Sequence, residues 1–410
     1  MSKLYLGLAC LLLAYTAGAQ CPSGRYLNEI FPSVTVDSPV YSTPYSLKMD
    51  IYQPAGDTLH ARPLIILAHG GSFLTGTRED DPMVDSLCLR LAKRGYVTAS
   101  IDYRLSELLT MLSTDSTGAI DEVVKAMSDG KAAIRFFMKD ASTTNTYKID
   151  TNNIYIGGNS AGAVLYMHVG YISDTMECPS YIRTAIDANG GFDGNSGNDG
   201  YTVRSKGIID LAGGLNETSF VQAGDKPSVN AQGAEDEVVP YTCGYPNLGS
   251  SSSPLNVHVK LCGLGSLEPV YTANGIYHLS MVFPVDGHVP WNSNAAKLNL
   301  VDSLVKVFLY NLVCTSTPPS SVNTTNINTE VTLYPNPANE ALNIMSSELV
   351  KDITLFDEVG RVAVQARNIN KTAYEVNTAH LSKGIYFVKI SFENGNITPV
   401  TRKILVNQAL

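Results

Sequence analysis

The stretch "IYIGGNSAGAVLYM", residues 154–167, decides how this chain folds. Ile154 to Ile156 form the apolar run of a buried strand, and the residues from Ala161 onward read as a helix. Between them, Gly158-Asn159-Ser160-Ala161-Gly162 fits the pattern G-x-S-x-G. The glycines permit a bend that larger side chains would block, and such a bend lifts the Ser160 hydroxyl above the sheet edge. The helix behind it directs partial positive charge at that hydroxyl. The plain alternative is a small residue in a tight corner, because a chain rich in Gly and Ser meets the pattern by chance. Partners elsewhere in the chain separate the two readings.

Working outward, "PLIILAHGG" is a continuous apolar run ending in Gly, as a buried parallel strand would be. "MVDSLCLRLAKRG" has helical spacing and a closing Gly, "YVTASIDYR" reads as a strand, and "AIDEVVKAMSDGKAAIRFFMKD" as a long amphipathic helix. "GIIDLAG", "KPSVNAQG" and "SMVFPV" read as later strands, and "NAAKLNLVDSLVKVFLYNL" as a closing helix. "YSLKMDIYQP" near the start alternates as antiparallel strands do. The expected fold is α/β: a mixed, mostly parallel sheet with helices on both faces. At residues 314–330 Pro, Ser, Thr and Asn dominate and no apolar period survives, which predicts a linker. Short strands with turns follow over 331–410 and predict a small all-β sandwich domain.

A serine hydroxyl needs a base, and the base needs a carboxylate to fix its tautomer. "FPVDGHVPW" offers His288 directly after the last predicted strand; a surface-loop histidine is the alternative, and His258 and His278 are the reserve candidates. "NAQGAEDEVVPY" carries three acids after a strand, and its flanking residues narrow the choice to Asp236 over a merely solvated turn. The oxyanion of an acyl-transfer reaction needs backbone N–H donors. "LAHGGSF" supplies a Gly-rich loop, with the N–H groups of Gly71, Ser72 and Ala161 as expected donors and His69 as a support of the loop.

With these residues in order, the chain from about 30 to 312 resembles the α/β-hydrolase fold. Within it the nearest are carboxylesterases with an H-G-G-x oxyanion loop, hormone-sensitive-lipase-like and feruloyl-esterase-like. "HGGSF", "IDYRL", "GGNSAGA" and the G-x-x-D-x-x-V-P stretch carry the resemblance. It departs from the pattern at Gln232, where His is common, a change expected to leave the triad untouched, and at Ser72, where Gly is common. No long N-terminal cap is visible, which implies an open site. A second resemblance covers 330–410: "LYPNPANEALNI", "LFDEVGRVAV", "LSKGIYFVKI" and "TRKILV" are similar to the type A sorting domain of the type IX secretion system. It implies an encounter with that machinery and outer-membrane export; a generic adhesive or carbohydrate-binding sandwich is the alternative.

The rest of the chain agrees with export. Residues 1–19 read as a signal peptide, with Lys3, an apolar run from Leu4 to Leu13, and Ala17-Gly18-Ala19 before the cut. A lipid anchor at Cys10 is opposed by its place inside the apolar run. The mature chain keeps Cys21, Cys88, Cys178, Cys243, Cys262 and Cys314, with Cys243 and Cys262 as the first expected pair. The net charge of −9 argues against a nucleic-acid partner, and no stable membrane insertion is expected. Neither a metal nor another cofactor is implied; "NGGFDGNSGNDG" does not match a calcium loop. The expected units are therefore 1–19 signal, 20–313 catalytic, 314–330 linker and 331–410 sorting. The expected activity is that of a secreted serine carboxylic-ester hydrolase on acetyl, feruloyl or bulkier polymeric esters. A secreted peptidase of the same fold and a catalytically dead surface adhesin are the rivals.

Overall fold

The computed structural model describes residues 21, 24–250, 252–314, 331–357, 360–393 and 399–407. The expected signal peptide and residues 315–330 of the expected linker lie outside them. The chain divides at Ser321/Val322 into two compact units.

The first unit opens with β1 (Val34–Asp37), β2 (Val40–Ser42) and β3 (Leu47–Pro54), then β4 (Arg62–Ala68), α1 (Pro82–Lys93) and β5 (Val97–Ile101). Next come the short α2 (Leu108–Met111), the long α3 (Thr117–Ser142), β6 (Ile149–Asn159), α4 (Ala161–Tyr171) and α5 (Ser180–Ala188). It closes with β7 (Gly207–Leu211), β8 (Ser228–Gly233), the two-residue strands β9 (Cys243–Gly244) and β10 (Leu261–Cys262), α6 (Leu264–Ala273), β11 (His278–Phe283) and α7 (Ala295–Cys314). The main sheet runs β1-β3-β5-β4-β6-β7-β8-β11, with β2 paired to β3. Pairing is antiparallel as far as β5 and parallel from β5 to β11.

Strand β4 explains why the sheet is covered on both faces. Leu64, Ile66 and Ala68 enter one core with residues of α3 and α4, such as Ile134 and Val164. Ile65 and Leu67 enter the other with Leu87 and Leu91 of α1 and Val305 and Phe308 of α7. Side chains alternate across a strand, so a strand buried on both faces must be apolar throughout. Helices α1 and α7 are also tied by a buried bidentate pair, in which Arg94 donates to both Asp302 oxygens at 2.6 Å.

Among the described residues of the second unit six strands pair antiparallel: β12 (Val331–Tyr334), β13 (Ala341–Asp357), β14 (Val362–Ala366), β15 (Lys371–Asn377), β16 (Gly384–Phe392) and β17 (Val400–Val406). In sequence "EALNIMS" and "DITLFDEVGRVAVQ" read as separate short strands, but the first and the start of the second form the single long β13, and the end of the second forms β14. The first half of β13 pairs with β12 and β15, and its second half with β14 and β16. A register shift between Met345 and Val350 takes the place of the expected break. Leu342, Ile344, Ile353 and Leu355 of β13 share one core with Val388 and Ile390 of β16.

Candidate active site

Ser160 lies between β6 and α4 with φ +54° and ψ −119°, a backbone state a non-glycine residue enters only under constraint. The constraint is close packing. A Cβ on Gly158 would lie 2.4 Å from the Ala68 carbonyl oxygen, and one on Gly162 would lie 2.0 Å from the same atom. The Ser160 N–H donates to the Leu211 carbonyl at 2.7 Å, which pins the turn to β7.

Two other loops close on this turn. Asp236 follows β8, and His288 follows β11. His288 Nδ1 lies 2.7 Å from Asp236 Oδ2, and Ser160 Oγ lies 2.7 Å from His288 Nε2. A carboxylate only accepts, so the imidazole proton sits on Nδ1 and Nε2 accepts from the serine hydroxyl. Val238 and Val239 N–H donate to Asp236 Oδ1 at 3.0 and 2.9 Å, which fixes the carboxylate's orientation. Gly233 lets the histidine loop approach, since a Cβ there would lie 2.2 Å from the carbonyls of Asp286 and Gly287. The N–H groups of Gly71, Ser72 and Ala161 have no acceptor among the described residues.

Residues 49–216 match the BD-FAE family model. The BD-FAE match takes in Ser160 and the "HGGSF" loop but stops before Asp236 and His288, so those two rest on geometry. Residues 332–407 match the secretion system C-terminal sorting domain. The chain thus joins an esterase-like hydrolase fold to a type IX sorting tail, which marks it as secreted or cell-surface; among the described residues no helix is long and apolar enough to cross a membrane. No curated protein sequence matches the chain. Similar solved structures include esterase 2 of Thermogutta terrifontis phosphorylated by paraoxon, at 18% identity and TM-score 0.48, covering 69% of this chain and 96% of that one. The native form of that thermophilic esterase matches at 17% identity and TM-score 0.48, covering 69% of this chain and 94% of the other.

Inside the BD-FAE region, sequence reasoning missed the residue that joins the loops. Asn159, the variable position before the serine, donates from Nδ2 to Asp81 at 2.9 Å, and its Oδ1 accepts from Trp291 Nε1 at 3.1 Å. Asp81 caps α1 through Met83 N–H and accepts from Gly70 N–H at 2.8 Å, so it also holds the Gly-rich loop. Serine turn, Gly-rich loop and histidine loop are thereby cross-braced. The one available signal was Trp291, the chain's single tryptophan, three residues after His288. Gln232 is also more involved than expected: its Nε2 is 3.4 Å from Asp236 Oδ2 and donates to Val239 O at 2.8 Å.

His69 does not face the serine as a base. Its ring stacks on Tyr103 with centroids 4.3 Å apart, its Nδ1 bonds the Gly70 carbonyl, and burial lowers its pKa. Of the reserve histidines, His278 opens β11 and bonds the Ile276 carbonyl. Two cavities meet at Ser160. One, of about 540 Å³, is lined by Gly70, Gly71, Asp81 and His288. The other, of about 90 Å³, is lined by Phe73, Ala161 and apolar residues of α3 and α4.

Proposed function

We propose that this chain is a secreted serine carboxylic-ester hydrolase working through an acyl-enzyme. The observation that carries the reading is the continuous hydrogen-bonded line from Asp236 through His288 to Ser160, with both links at 2.7 Å. In the proposed reaction His288 Nε2 takes the hydroxyl proton as Ser160 Oγ attacks the ester carbonyl. Asp236 stabilises the imidazolium that forms. The tetrahedral oxyanion is received by the N–H groups of Gly71, Ser72 and Ala161, two in the loop after β4 and one at the first turn of α4. His288 returns the proton to the leaving alcohol, and water activated by the same nitrogen releases the acid.

The catalytic unit is taken as residues 20–313, and 331–410 as the part read by the type IX machinery. Covalent labelling by a fluorophosphonate and hydrolysis of p-nitrophenyl butyrate test the reading. Wild type should do both and Ser160→Ala neither; a mutant that keeps both removes Ser160 from the mechanism. Labelling of wild type without hydrolysis of any ester would favour the peptidase, and no labelling the adhesin.

A further inference from the structure

Resting on the ester-hydrolase reading, we propose that Asp81 is a positioning residue for that reaction. Through Gly70 N–H and the Asn159 amide it sets the aim and spacing of the oxyanion donors on the two sides of Ser160.

The loop that carries two of those donors does not hold its shape unaided. Gly71, Ser72 and Phe73 follow one another at φ +111°, +56° and +60°. A Cβ on Gly71 would lie 2.0 Å from the Thr75 carbonyl oxygen, so only glycine fits there. Ser72 and Phe73 are left in a backbone state that side chains disfavour. Contacts from outside these three residues must keep them in it.

Those contacts also fix where the free donors point. The peptides of this loop are trans, so each C=O and the N–H that follows it face opposite ways. The Gly70 carbonyl accepts from His69 Nδ1 at 2.6 Å and lies 3.4 Å from the Tyr103 hydroxyl. The Gly71 carbonyl accepts from Leu74 and Thr75 N–H at 2.9 and 3.1 Å. The N–H groups of Gly71 and Ser72 are therefore turned away from these partners. One peptide earlier, the His69 carbonyl accepts from Tyr103 at 2.9 Å, and Gly70 N–H donates to Asp81 Oδ2 at 2.8 Å. Both sides of that peptide are tied.

Asp81 reaches the other half of the site as well. Its two oxygens accept from Asn159 Nδ2 at 3.2 and 2.9 Å, and Asn159 leads into Ser160 and Ala161, the source of the third donor. Among the described residues no other side chain bonds both the loop and Asn159. The approach is close: a Cβ on Gly70 would lie 3.2 Å from Asp81 Oδ2 and 3.3 Å from the Ser160 Cβ.

Capping a helix needs less than this. Asp81 Oδ1 caps α1 through Met83 and Val84 N–H at 3.0 and 3.3 Å, and serine or asparagine would cap about as well. The bonds to Gly70 and Asn159, 11 and 78 positions away, are surplus to capping. They require a second acceptor oxygen on the same side chain, which serine and asparagine lack.

The test compares p-nitrophenyl butyrate with p-nitrophenyl thionobutyrate on the full chain. Sulfur in place of the carbonyl oxygen is larger and a weak hydrogen-bond acceptor, so the thionoester gains little from the donors. Asp81→Asn and Asp81→Ser keep the cap, so both should fold. Each should lower kcat about a hundredfold on the oxoester and no more than about threefold on the thionoester, with KM nearly unchanged. Asp81→Asn combined with Asn159→Ala should lose clearly less than the product of the two single losses. Equal losses on the two esters, or a double loss equal to that product, overturn the proposal and leave the esterase reading in place. Amide hydrogen exchange separates it from failure of that reading. In both Asp81 variants exchange at Gly70, Leu74 and Thr75 should quicken at least about tenfold, with α1 unchanged. Unchanged exchange in that loop overturns the proposal whether or not any ester is hydrolysed.

Discussion

Ser160 is held where its own backbone is strained. A non-glycine residue at positive φ costs about 1–2 kcal/mol, and the close packing of Gly158 and Gly162 against β4 maintains it. Ser160→Gly should therefore be more stable than Ser160→Ala by about 1 kcal/mol in urea unfolding, with hydrolysis lost in both. Asp236→Asn should lower kcat about ten-thousandfold, because the amide no longer selects the Nδ1–H tautomer; kinetics on a p-nitrophenyl ester checks it. Asp210 on β7 offers a pH test. It is buried with Gly213 N–H on it at 2.8 Å, and burial pushes its pKa up to about 7. Its folded value lies above the unfolded one, so the stability it contributes is fully present below about pH 4 and lost as the pH rises through 7. Tm should fall more from pH 5 to pH 8 in wild type than in Asp210→Asn. Ser160, Asp236 and His288 were legible because each follows a strand and their order is constrained. Asn159, Asp81 and Trp291 were not, because their bonds join residues 78 and 132 positions apart and no spacing encodes them.

At the scale of elements, α4 and β4 approach so closely that the first turn of the helix tolerates only glycine at Gly162. Gly162→Ala should push α4 off the sheet. The expected outcome is a markedly lower Tm together with lost activity, read by thermal unfolding and fluorophosphonate labelling. Helices α1 and α3 were legible from their apolar spacing and α7 as a long, largely apolar run, as were the strands between them. Helices α5 and α6 were not. Helix α6 contains Gly265 and an internal Pro269, which oppose helix formation, and it is held by burial of Leu264, Leu267 and Tyr271. Tertiary packing decided that element, and packing leaves no local pattern. The single β13 was hidden for the opposite reason: its irregularity looks like a turn in sequence and is absorbed as a shift of register.

At the scale of the molecule, a second disulfide joins Cys21 to Cys314, across 293 positions. It ties the residues before β1 to the last turn of α7. Cys21→Ser with Cys314→Ser should cost about 2–5 kcal/mol, measured by chemical unfolding without reductant, while sparing hydrolysis at moderate temperature. The two-unit division was legible as a change of composition and period. The Cys21–Cys314 pairing was not, since six cysteines allow many connectivities and only the fold brings this pair together.

That bond has a topological consequence. From Cys21 to Cys314 the backbone of the first unit is a covalently closed ring. A protease cutting beyond Cys314 would detach the sorting domain and leave the ring whole. One cut inside the ring would open it without releasing a fragment. Exopeptidases working from either side would halt at the same cystine, so a chain trimmed outside the cell would keep its working part intact.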